Sequence, residues 1–125
     1  MKKLFYILGV ALVMMTACSN GKGYTSVSVD EFAKVIVDNQ VQLIDTRTEA
    51  EFNEGHIPGA INIDVNESDF EAKVGQKIDK TRPIALYCRG GRRSKIAAER
   101  IVALGYDDIT ELNTGFLSWT GEVEK

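Results

Sequence analysis

A chain of 125 residues with 44% hydrophobic and 26% charged side chains has room for one globular domain and the apolar content to build its core. Its formal charge of −3 argues against a nucleic-acid partner, which a basic surface would serve. No nucleotide-binding or metal-binding pattern is present, and His56, the only histidine, has no second metal-type cluster to accompany it, so neither a metal nor a cofactor is expected.

The chain begins with the basic Met1-Lys2-Lys3, an almost wholly apolar run from Leu4 to Met15, and the small residues Thr16-Ala17 before Cys18. This order reads as a secretory signal peptide over residues 1–17, because the apolar run falls short of the roughly 20 residues needed to span a bilayer. Without Lys2 and Lys3 the remaining chain is more acidic still. Met15-Thr16-Ala17-Cys18 resembles the lipobox of bacterial lipoproteins, in which cleavage precedes a cysteine that is then lipidated. Residues 18–25 are accordingly expected to be a lipidated Cys18 and a tether, small and polar from Ser19 to Gly23, with the folded domain at 26–125. The resemblance implies a membrane partner through a lipid anchor and a place at the bacterial cell envelope, facing the periplasm or the exterior. A lipidated Cys18 leaves Cys88 as the single free thiol in an oxidising compartment, which points to a reactive role.

Ser28-Val29-Asp30-Glu31 has the form of a capping box and predicts a helix from Val29 to about Asp38. Val41 to Ile44 reads as a buried strand ending at Asp45, and Glu49 to Asn53 as a short helix before the turn Gly55-His56-Ile57-Pro58-Gly59. A short strand at Ala60 to Ile63, a helix at Ser68 to Val74 and a polar connection at Lys77 to Thr81 follow. Ile84 to Tyr87 is a strand that runs directly into Cys88. From Arg93, Ile96, Ala97, Ile101 and Leu104 mark one face of a helix that Gly105 is placed to end. Ile109 to Leu112 is a last strand, and Phe116 to Trp119 a short helix whose aromatics pack on the body. Strands alternating with helices imply an α/β fold, a mostly parallel central sheet with helices on both faces. Binding groups in such sheets gather beyond the carboxyl ends of the strands, where Asp45 and Cys88 both lie.

The loop Cys88-Arg89-Gly90-Gly91-Arg92-Arg93-Ser94 places a thiol inside a Gly-rich turn that opens a helix. Converging N–H groups and the positive end of the helix dipole stabilise negative charge there, so Cys88 is expected to titrate below a free thiol. Gly90 and Gly91 are expected to let the backbone turn through positive φ. Arg93 is expected to fix the loop and help bind an oxyanion, while Arg89 and Arg92 recruit anions at the rim. Ser94 either caps the helix or hydrogen-bonds the sulfur. Asp45 and Arg47 read as a structural pair supporting the site, with Arg47 at its edge, and His56 as a hydrogen-bonding turn residue.

Leu43-Ile44-Asp45-Thr46-Arg47, then Glu51-Phe52-Asn53-Glu54-Gly55-His56-Ile57-Pro58-Gly59-Ala60-Ile61-Asn62, then the Cys88 loop, together resemble a single-domain rhodanese, a sulfurtransferase module. The resemblance implies the rhodanese-like three-layer fold and a Cys88 nucleophile that carries a persulfide. It also implies a small anionic sulfur donor such as thiosulfate and a cyanide or thiol acceptor. The six residues from Cys88 to Arg93 match the sulfur-transferring members, whereas related phosphatases and arsenate reductases use a loop one residue longer. The chain departs from the family at Asn113-Thr114-Gly115, where a pair of glycines is common.

Overall fold

The computed structural model describes residues 22–125. The leader at 1–17, Cys18 and the first residues of the tether lie outside the described residues.

Five strands form one parallel sheet in the order β1-β5-β4-β2-β3. They are β1 (Thr25–Val27), β2 (Gln42–Asp45), β3 (Ile61–Asn62), β4 (Ile84–Tyr87) and β5 (Ile109–Leu112). Between them run α1 (Val29–Val35), α2 (Glu49–Glu54), α3 (Phe70–Lys77) and α4 (Arg92–Ala103), and a 3-10 turn at Phe116–Ser118 follows β5. The central strands β2 and β4 are buried along their whole length, as expected of parallel strands covered on both faces.

Strand alternation divides the core. Ile44, Ile84, Leu86 and Ile109 point to one face, where they meet Phe70 and Val74 of α3 and Ala97, Ala98 and Ile101 of α4. Leu43, Ala85, Tyr87 and Leu112 point to the other, against Phe32 of α1 and the partly buried Phe116 and Trp119. The expected three-layer α/β architecture is therefore the one observed. Arg100 ties the two helices of the first face together: its guanidinium lies over Phe70, donates to Val65 O and pairs with Glu71.

Element boundaries shift where side chains capture the backbone. The first helix ends at Val35 and not near Asp38, whose carboxylate instead accepts from the Gln40 N–H in a turn. Ser28 caps that helix by accepting from Glu31 N–H, whereas the reciprocal capping box is completed in α2, between Thr48 and Glu51. The helix expected at Ser68–Val74 occupies Phe70–Lys77, so that Phe70 and Val74 both reach the core. The fourth helix starts at Arg92, one residue before Arg93.

One strand has no counterpart in the sequence reading. β1 pairs with β5, drawing Thr25 into the sheet and burying Tyr24, two residues that composition assigns to the tether. Tyr24 joins the core beside Ile101 and Tyr106, and burial is the first cause of its raised phenol pKa.

Candidate active site

The parallel sheet sends β2 and β4 to the same edge, with Asp45 paired in register with Tyr87 and Cys88 immediately beyond. Cys88 is 1% exposed. Its Sγ accepts from the Gly91 N–H at 3.1 Å, so the loop closes back on the sulfur and aims a backbone dipole at it. Gly91 is also the N-cap of the twelve-residue α4, which adds the positive end of a helix to the same place.

The two loop glycines do different work. Gly91 adopts φ +105°, and a Cβ there would lie 2.1 Å from Asn113 O. Gly90 has neither a positive φ nor any atom within 4 Å of where its Cβ would stand, which corrects the expectation that both are needed for a left-handed turn. A third glycine matters as much: Gly115, at φ +71°, lies against Arg89 O, 2.2 Å from where its own Cβ would be. The Phe116 and Leu117 N–H groups then donate to Cys88 O and Arg89 O at 2.8 and 3.0 Å. The turn after β5 thus holds the Cys88 loop by its backbone, and Asn113-Thr114-Gly115 needs only its single glycine to do so.

Arg93 is held from the side. Both of its terminal nitrogens donate to Glu51, at 2.8 and 2.9 Å, in the bidentate geometry that suits guanidinium and carboxylate. Of the two roles expected of Arg93, this arrangement displays the fixing of the loop, with the oxyanion-binding edge taken by Glu51. The Arg93 hydrogen bond is the first cause that lowers the Glu51 pKa to about 2, with burial opposing it, and the same bond raises that of Arg93. Glu51 is absent from the sequence-based site, although Thr48-Arg93 geometry makes it a central residue: its carboxylate serves the α2 capping box and the loop at once. Arg89 and Arg92 are exposed, and among the described residues neither makes an ion pair, consistent with a rim position.

Ser94 is not the helix cap. It is fully buried one turn into α4, with Oγ 3.4 Å from Cys88 Sγ and 2.5 Å from Glu111 Oε2.

Beneath the loop Asp45 and Arg47 form the expected structural pair, both buried. Arg47 donates through Nε and Nη2 to the Asp45 carboxylate and through Nη2 to Gly55 O. Tyr87 donates to the same carboxylate at 2.8 Å and accepts from the Ile57 N–H. Burial, then the charge of Asp45, pushes the Tyr87 phenol far up, while burial of Arg47 is outweighed by its bond to Asp45 and leaves the guanidinium raised. The Arg47 guanidinium also lies 4.5 Å from the Phe116 ring centroid, joining this cluster to the turn that holds the loop. His56 is a turn residue as expected: Nδ1 lies 2.8 Å from Phe52 O, the ring stacks on Phe52, and its backbone bridges to Glu124. Phe116 and Trp119 are packing residues.

Arg47, Glu51, Glu54, Gly55, Arg89, Phe116 and Leu117 line a cleft of about 250 Å³ beside the loop. A larger cavity, about 350 Å³, is lined by α2 and by residues from Asn62 to Lys73, away from Cys88. None of the residues of its polar, carboxylate-rich wall belongs to the Cys88 loop. Among the described residues no cluster of His, Cys, Asp and Glu could hold a metal ion.

The family model for the Rhodanese-like domain matches residues 28–122. The chain is 33% identical over 96 residues to the thiosulfate sulfurtransferase GlpE of Shewanella oneidensis, covering 77% of this chain and 92% of that one. It is 28% identical to the putative sulfur carrier protein YrkF of Bacillus subtilis, of which it spans only 56%. A crystal structure of a rhodanese-like domain protein from Staphylococcus aureus superposes with a TM-score of 0.68 at 28% identity, over 79% of this chain and 95% of that one.

Two substitutions test how the loop is held. Gly91→Ala should cost at least ~2 kcal/mol in urea unfolding, because it adds a strained φ and a backbone overlap, while Gly90→Ala should stay within ~0.5 kcal/mol of the parent. The depressed Glu51 pKa makes its pairing a stabilising term that is complete above the ordinary carboxylate range and is lost as pH falls from there towards about 2. Glu51→Gln should therefore lower stability at neutral pH by on the order of 1–2 kcal/mol, allowing for solvent screening of a partly exposed pair. It should also flatten the acid limb of the stability profile over that window, measured by unfolding at stepped pH.

Proposed function

The chain belongs to the rhodanese-like domain family, and on that footing we propose that it is a sulfurtransferase. It would move sulfane sulfur from thiosulfate or a related donor to cyanide or a thiol through a persulfide on Cys88. The observation that carries this reading is the placement of the buried Cys88 Sγ at 3.1 Å from the Gly91 N–H, at the start of α4.

The reaction follows from that placement. The Cys88 thiolate attacks the outer sulfur of thiosulfate; the S–S bond of the donor breaks and sulfite leaves with the bonding pair. The new terminal sulfur is an anion, and it inherits the donors that faced the thiolate, since Gly91 and the helix terminus favour negative charge in either form. Cyanide or a thiolate then attacks the terminal sulfur, forming thiocyanate or a new persulfide and returning Cys88 as thiolate. Two separate half-reactions give ping-pong kinetics. At 1% exposure Cys88 admits only a slender reacting atom, which suits a terminal sulfane sulfur; Arg89 and Arg92 at the rim draw in its anionic carrier.

We also propose that the mature protein is a lipoprotein of the bacterial cell envelope, anchored through Cys18. Supporting this are the basic start, the apolar run and Met15-Thr16-Ala17-Cys18. The fold begins at Tyr24, leaving a short segment between that cysteine and the sheet.

Purified domain mixed with thiosulfate and cyanide should release thiocyanate, and Cys88→Ser should reduce the rate to the uncatalysed background. An aryl phosphate run in parallel should not be hydrolysed; phosphate release without thiocyanate would overturn the assignment. For the anchor, the intact mass of protein extracted from membranes should correspond to a chain starting at Cys18 with added acyl groups. An unmodified Cys18 or a retained leader would refute it.

A further inference from the structure

Glu111 lies in β5, an interior strand flanked by β1 and β4, and its side chain is fully buried. A carboxylate so placed is costly unless its lone pairs are used, and here three side chains from two elements, β1 and α4, supply the partners. Ser26 of β1 donates to Oε1 at 2.5 Å, Ser94 of α4 donates to Oε2 at 2.5 Å, and Lys95 Nζ lies 3.2 Å from Oε2. A serine hydroxyl has one proton. That of Ser94 goes to Glu111, the nearer acceptor, and not to Gly91 O at 3.4 Å, so the Ser94 lone pairs face Cys88 Sγ. The thiol is then the donor in the Cys88–Ser94 contact, and the chain of bonds runs in one sense from sulfur to carboxylate.

We propose that Cys88, Ser94 and Glu111 form a proton relay that generates the attacking thiolate, an inference that deepens the sulfurtransferase reading of Cys88. The Cys88 S–H proton passes to Ser94 Oγ while the Ser94 proton passes to Glu111 Oε2. The products are a thiolate, an intact serine hydroxyl and a neutral glutamic acid, with no proton gained or lost. The bonds reverse as the protons move: Glu111 now donates to Ser94, and Ser94 donates to the sulfur, giving the thiolate a second donor besides Gly91. Lys95 is not orphaned when Glu111 is neutral, because it also donates to Gly91 O at 3.0 Å and Asn113 O at 3.2 Å. Glu111 acts through Ser94 and is a positioning residue; the reacting atom it serves is Cys88 Sγ.

Four other ionisable groups bear on this relay. Lys95 from α4 is the cation at Glu111, Tyr24 feels the charges of Glu111 and Glu99, and Arg93 is the cation that senses charge on Cys88. None of them bridges Ser94.

Alkylation of Cys88 by iodoacetamide across acid to alkaline pH tests the relay without any sulfur donor. An internal proton transfer leaves the net proton count unchanged, so the thiolate share it creates is independent of pH, and the parent protein should show a plateau of reactivity on the acid side. Glu111→Gln keeps one acceptor and one donor for the two serines but removes the proton acceptor. Its rate should lose the plateau and fall about tenfold for each pH unit as free thiolate disappears. Ser94→Ala breaks the link with Glu111 unchanged and should do the same, and it decides the matter alone if Glu111→Gln fails to fold by circular dichroism. A parent profile with no plateau, or a plateau retained in either folded variant, would overturn the relay. Thiocyanate formation by a parent lacking the plateau would sink the relay alone, whereas a plateau without sulfur transfer would sink the enzymatic reading alone.

Discussion

The close apposition of two backbone turns, residues 88–91 after β4 and residues 113–117 after β5, is the constraint on which the sulfur site depends. Gly91 lies against Asn113 O, Gly115 lies against Arg89 O, and the Phe116 and Leu117 amides bond the first two carbonyls of the loop. The loop has no side-chain core of its own. Its shape is therefore inherited from the register of neighbouring parallel strands, which bring these turns to one edge of the sheet. A rigid turn of this kind presents its N–H groups without the reorganisation that water would require, which is how fixed dipoles stabilise a developing or resident anion.

The polar clusters around the loop serve the same end. Asp45, Arg47 and Tyr87 close the space under β2 and β4 and fix the Gly55–Gly59 turn through Gly55 O and the Ile57 N–H. Every buried side-chain N or O among the described residues has a hydrogen-bond partner, so these groups specify one arrangement without leaving an uncompensated charge. Phe116 couples the two regions, since its amide holds Cys88 O while its ring covers the Arg47 guanidinium. Displacing Arg47 would thus disturb the loop from a distance.

What the sequence revealed and what it concealed follow from the range of the interactions. The central strands were legible because four-residue apolar runs such as Ile84 to Tyr87 are buried on both faces, and the Cys88 loop because its glycines and arginines are contiguous. β1 was not: Thr25-Ser26-Val27 has no apolar run, and its place is set by pairing with a strand some 85 positions away, including the Ser26–Glu111 bond. Glu51 carried a readable signal, Thr48 three residues before it, but that pattern announces a helix start and not a partner for Arg93 across 42 positions. Glu111 carried a fainter one, a carboxylate beside Leu112 in a strand that ought to be buried. The two glycines of the loop looked equivalent in sequence and are not, because only at Gly91 would a side chain meet another backbone.

The charge balance around the sulfur changes how an arginine-rich loop is to be understood. Three arginines fall within five residues of Cys88, yet the one nearest in effect, Arg93, is neutralised by Glu51, as Arg47 is by Asp45 and Lys95 by Glu111. Cations paired this way contribute little net field at short range, and each pair instead fixes a backbone segment. The field that remains at the sulfur comes from the Gly91 amide and the α4 terminus, which cannot be screened or displaced by solvent ions as a surface arginine can. Arg89 and Arg92 are exposed and without ion-pair partners among the described residues, so in the proposed reaction their charge would act over longer distances on the approach of an anionic donor. The loop separates two features that its sequence merges: exposed side-chain charge lies at the rim, and backbone dipoles face the sulfur within.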